Sequence, residues 1–121
     1  MKDLALLRLC ADVMKKLADL LTEGEESIYE RRQPVIAFMR RVESEGYVVD
    51  TETGTTVADG RDWSMLDAMD ADARVVLAAE QITRAEQAGI YQQRLQRMHG
   101  AVDRIEAGYA DRIRGLGLAV S

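Results

Sequence analysis

One cysteine, one histidine, one proline, one tryptophan and one phenylalanine occur in this chain of 121 residues, and each scarcity excludes something. Cys10 has no intrachain partner, so no disulfide is available and no oxidising compartment is implied. His99 is the sole histidine and lies far from Cys10 in sequence, so a zinc site of the usual nitrogen and sulfur ligands is not expected. Aromatic residues make up only 5% of the chain, which leaves Leu, Val, Ile, Met and Ala to build the core. A single proline among many Ala, Leu, Glu, Arg and Gln residues favours helix over sheet. Long apolar runs are also missing. Residues 1–21 are interrupted by Asp3, Arg8, Asp12, Lys15, Lys16 and Asp19, so neither a signal peptide nor a membrane span is expected. The expected location is the cytoplasm, with export by a route that uses no cleaved signal left open.

Catalytic groups are equally thin. The glycines are scattered and form no phosphate-binding loop. The carboxylate pairs Glu25/Glu26 and Asp70/Asp72 sit at adjacent or alternate positions, which on a helix point to different sides. Cys10 falls within an apolar arc, the setting of an inert thiol rather than a nucleophile. The expectation is a non-enzymatic protein with no catalytic residues, cofactor, metal or small-molecule substrate.

What is present is charge, unevenly placed. The formal net charge is −5. Residues 1–42 carry +1, residues 43–80 carry −8, and residues 81–121 carry +2. A nucleic-acid binder shows the opposite, a clustered basic face. Arg31/Arg32 and Arg40/Arg41 are paired but lack interleaved aromatics, and they read as a solvated helix face.

Hydrophobic periodicity predicts two long helical arms. In the first, a heptad-like stripe runs Leu4, Leu7, Ala11, Met14, Ala18, Leu21, then Ile28, Val35, Met39 and Val42. Beside it lies a second apolar set, Leu6, Leu9, Cys10, Val13, Leu17 and Leu20. At about 100° per residue the two sets of residues 4–21 together span roughly 220°, about twice what one neighbouring helix covers. Two neighbours or another chain are therefore expected, with Leu6, Leu9, Val13, Leu17 and Leu20 as the candidate partner interface. Gly24 and Pro34 both disfavour a helix interior, while Ser27 and Glu30 have capping-box spacing. Either the first arm breaks near 23–27 or it bends at Pro34, and the bent arm is the expectation. The acidic run Glu23, Glu25, Glu26 reads as a solvated helix start rather than a cation site.

Gly46 should end the first arm with a left-handed cap. Two β-prone runs follow, Tyr47 to Val49 and Thr55 to Val57, around a turn at Asp50 to Gly54. So small a ribbon needs support, and Trp63 is the candidate. The tip at 46–63, with Tyr47, Val49, Val57 and Trp63, is either an ordered connection or a binding element. The second arm is expected to start near Ser64, with Ser64 and Asp67 as its cap. Its drifting stripe includes Val76, Ile82, Leu95, Met98, Val102, Ile105, Tyr109, Ile113 and Leu116. Ala85, Ala88 and Gly89 suggest close helix approach, and Gly115 with Gly117 a frayed end.

A helix, a compact tip carrying tryptophan and a second helix resemble the WXG100 (ESAT-6-like) helical hairpins, associated with type VII secretion in actinobacteria and firmicutes. Val102, Glu106, Tyr109 and Ile113 match the hydrophobic-x-x-x-acidic-x-x-hydrophobic-x-x-x-hydrophobic spacing of that family's second helix. The segment from Glu45 to Gly60, followed by an Ala/Asp-rich helix, looks like the hairpin-tipped modules of larger actinobacterial relatives. The chain departs from the pattern at Trp63-Ser64-Met65, where the family has Trp-x-Gly. Its Tyr-x-x-x-acidic export signal is also absent, since Ile113 stands four positions after Tyr109. Self-directed export is thereby put in doubt, although a partner chain would be able to supply the signal.

The combined expectation is an all-α single domain over residues 1–121, a long antiparallel helical hairpin that is bent or broken near 23–34 and carries a short β-hairpin-like tip. It implies a homo-oligomer or a bundle with a related helical protein, coiled-coil-like in its packing. The alternative is a cytosolic adaptor, chaperone or antitoxin-like protein whose acidic tip meets a basic partner.

Overall fold

A computed structural model describes residues 2–120. Helix α1 spans Lys2–Ser44, strands β1 and β2 span Tyr47–Val49 and Val57–Asp59, and helix α2 spans Ala71–Val120. A short 3-10 helix, Ser64–Ala68, precedes α2. The two long helices and the small antiparallel sheet agree with the helical class and the tip read from the sequence. By packing, the chain divides into two compact units. One comprises residues 35–99, and the other joins residues 1–34 with residues 100–121.

The unit of residues 35–99 holds most of the buried core: Val35, Phe38, Val42, Tyr47, Val49, Val57, Ala88 and Leu95. Val35, Phe38 and Val42 recur at helical spacing on α1, so one face of its last turns is sealed. Helix α1 ends where expected. Gly46 adopts φ +90°, and its N–H donates to the Glu43 carbonyl at 3.0 Å. Within the sheet Tyr47 pairs with Asp59, Val48 with Ala58 and Val49 with Val57. Tyr47 and Val49 point inward while Val48 is exposed, the alternation a half-buried strand requires. The second strand begins two residues later than Thr55, where the sequence placed it. Thr55 and Thr56 are taken by the turn instead, because their backbone N–H groups donate to the Thr53 hydroxyl oxygen.

Helix α2 does not start at Ser64. Ser64–Ala68 makes one 3-10 segment without a side-chain cap. Asp70 takes the capping role, with its Oδ1 accepting the Ala73 N–H at 2.8 Å. The α2 stripe also needs correction, since Val76 and Ile82 are 67% and 61% exposed. Only Ala88 of the small residues is buried; Ala85 is exposed and Gly89 faces open space.

In the unit formed by residues 1–34 and 100–121, the α1 and α2 segments run antiparallel. Arg32 pairs with Glu106, Glu23 with Arg112, and Leu20 shares a groove with Leu116. Neither Gly24 nor Pro34 breaks α1, which excludes the alternative of a break near 23–27. Gly24 is the point of close packing. A Cβ there would lie 3.3 Å from the Tyr109 ring, so contact with α2 offsets the low helix propensity of glycine. Ser27 and Glu30 consequently lie mid-helix and cap nothing, and the acidic run is no helix start. Helix α2 likewise continues through Gly115 and Gly117. Val102 alone of this unit's described residues belongs to the buried apolar core.

Candidate interaction surfaces

The tip is held to α2 by side chains the sequence did not single out. Asp59 accepts three bonds: Arg84 Nε at 2.9 Å and the Arg61 N–H at 3.1 Å on Oδ1, and Trp63 Nε1 at 2.8 Å on Oδ2. Burial pushes the Asp59 carboxyl up, but these donors outweigh it and hold it below the ordinary carboxylate value. Arg84 is raised in turn by its bond to Asp59. Its guanidinium also donates to the Glu45 carbonyl at 3.1 Å and lies 4.3 Å from the Tyr47 ring centre, a cation–π contact. A charge held at 11–12% side-chain exposure needs this degree of pairing.

Tyr91 completes the contact from α2. It meets Phe38 and Tyr47 edge-on, with ring centres 5.6 and 5.3 Å apart. Its hydroxyl donates to Glu45, and that bond raises the Tyr91 pKa above its ordinary value. Gln92 Oε1 accepts the Val57 N–H at 3.1 Å, and His99 Nε2 lies 2.9 Å from the Gly54 carbonyl, which requires the Nε2 proton. Three of the four tip residues named from sequence, Tyr47, Val49 and Val57, are buried and Trp63 is half-buried. Trp63 binds the ribbon through Asp59, and His99 is a half-buried support.

Val102, Glu106, Tyr109 and Ile113 come together on the side of α2 that meets α1. Val102 is buried, Glu106 accepts from Arg32, and the Tyr109 hydroxyl donates to Glu23 at 3.0 Å. Ile113 lines a groove with Leu20, Gly24 and Ile28 of α1. The spacing is accounted for by packing within this unit.

The five residues expected at a partner face divide. Leu6 and Leu9 are exposed, whereas Val13, Leu17 and Leu20 are half-buried, as is Cys10. The more open surface is the neighbouring heptad stripe. Leu4, Leu7, Met14 and Leu21 are 55%, 65%, 67% and 47% exposed, and Ala11 and Ala18 are exposed between them. Its regular alternation of three and four residues is visible in the sequence, but periodicity does not say which stripe the chain's own second helix covers.

Among the described residues no group of His, Cys, Asp and Glu is arranged to hold a metal, and no helix is long and apolar enough to cross a membrane. Comparison with known proteins adds no relative, since no family model, curated protein or solved structure matches the chain.

Proposed function

We propose that this chain is a non-enzymatic helical hairpin that completes its fold by joining a helical bundle with itself or a related chain. The supporting observation is the contrast within one unit. Six large apolar side chains between Leu4 and Leu21 (Leu4, Leu6, Leu7, Leu9, Met14 and Leu21) are 43–67% exposed, while Val102 is that unit's one buried apolar core residue among the described residues. Apolar surface of that extent marks an association site, and facing helices of a bundle bury such stripes. The reading extends to the type VII secretion-associated hairpins that the tip tryptophan and the α2 spacing resemble, with the chain acting as a bundle component.

Size-exclusion chromatography with light scattering tests it. The expected mass is a multiple of the single chain, or becomes one on mixing with a co-encoded helical protein. A folded monomer that binds no helical partner would overturn the proposal.

A further inference from the structure

The partner can be specified further, on the premise that the chain oligomerises. Six residues, Leu4, Leu7, Ala11, Met14, Ala18 and Leu21, repeat at three- and four-residue intervals, the a and d positions of consecutive heptads. All six are exposed, whereas Cys10, Val13, Leu17, Leu20 and Gly24, about 110° around the helix, are half-buried or buried. Helix α1 thus has one stripe turned to α2 and a second, complete heptad stripe with nothing against it among the described residues. The open stripe is about 26 Å long at 1.5 Å per residue.

The order of side chains along the stripe indicates what fits it. In an antiparallel pair each a position packs against a d position of the opposite helix. Laid against a second copy in that way, Leu4 meets Leu21, Leu7 meets Ala18, and Met14 meets Ala11. Every alanine faces a large side chain and every layer is filled. In a parallel pair like meets like, so Ala11 meets Ala11 and Ala18 meets Ala18, leaving two underfilled layers that close-packed interiors avoid. The flank does not choose between registers, because its charges meet in both like and opposite pairs. Arg8 comes within two positions of Asp19 but also of Lys15 and Lys16 of the other copy, and Lys15 within two positions of Asp12 but also of Arg8. Residues 2–21 carry four basic and three acidic groups, so two copies meet without a large like-charge penalty. We infer that the exposed heptad stripe of α1 docks antiparallel on the same stripe of a second copy, with Leu4 opposite Leu21 and the two-fold axis between residues 12 and 13.

Cysteine bridging of the full-length chain tests both partner and direction. In a Cys10→Ser background, Leu7→Cys and Ala18→Cys are made separately; both sites are exposed, and circular dichroism confirms that each variant keeps its helix. Each is oxidised alone and after mixing under mild copper–phenanthroline, and disulfide-linked dimers are read on non-reducing gels. Bridging is expected in the mixture and not in either variant alone, because only the cross pair comes within disulfide reach. Bridging of either variant alone would show like facing like and overturn the antiparallel order. A dimeric mass with no bridge in the mixture would overturn this stripe while leaving the oligomer standing. A monomeric mass, or assembly only with a different chain, would overturn the self-pairing, and the light-scattering measurement separates these outcomes.

Discussion

Arg84 Nε donates to Asp59 Oδ1 at 2.9 Å across 25 residues of sequence, and the pair fastens the sheet to α2. Removing either partner leaves the other charge in a mostly enclosed site. Arg84→Met should cost about 3 kcal/mol, toward the low end for breaking an enclosed pair. Asp59→Asn, which keeps a hydrogen-bond acceptor, should cost about 1–2 kcal/mol. Urea unfolding followed by Trp63 fluorescence checks the order; equal and negligible losses would mean that the pair does not hold the tip.

The same carboxylate makes the tip acid-sensitive. Its folded pKa lies below the ordinary value of about 3.9, so the proton is bound more weakly in the folded state than in the unfolded. The stabilisation is therefore present above the unfolded value and lost as pH falls through the folded one. Trp63 fluorescence should change in that acid range, and Asp59→Asn should remove this component of the titration.

Two glycines should respond in opposite directions to alanine. At Gly60 a Cβ would sit 2.7 Å from the Gly46 carbonyl oxygen and 3.0 Å from Val48 Cγ2, so Gly60→Ala must displace backbone and should destabilise by about 1–3 kcal/mol. At Gly89 nothing lies within 4 Å. There the helical gain is unopposed, and Gly89→Ala should stabilise by about 0.5–1 kcal/mol. Thermal melts of the two variants in parallel would reveal any departure from opposite signs.

Leu95 and Val76 lie on the same sequence stripe but in different surroundings. Leu95 is 0% exposed and Val76 67%. Leu95→Ala should cost about 2–5 kcal/mol through the cavity it leaves. Val76→Ala should stay within about 0.5 kcal/mol. Comparable losses in denaturant midpoint would contradict the inward face assigned to α2.

Leu7 is 65% exposed, so its replacement by glutamate costs the single chain little. In the proposed dimer it would place a carboxylate against an apolar layer. Leu7→Glu should therefore reduce the light-scattering mass to that of one chain while helical circular dichroism persists. An unchanged mass would remove the heptad stripe from the interface.

Local chemistry made part of this protein legible in the sequence. The apolar periodicities marked the long helices, the glycine at position 46 marked the end of α1, and alternation at Tyr47–Val49 marked a strand. Each depends on residues within a few positions of one another. The remaining features depend on partners far along the chain. Gly24 reads as a helix breaker until Tyr109 lies against it. Asp59 and Arg84 gave no sequence signal, because an isolated aspartate or arginine looks solvated until burial pairs it. The resemblance carried by Val102, Glu106, Tyr109 and Ile113 has a packing explanation within its own unit. The apolar arc of α1 was evident from spacing alone. Which half of it is covered was decided by tertiary structure, since a helix carries two apolar stripes equally well and only the position of α2 selects between them.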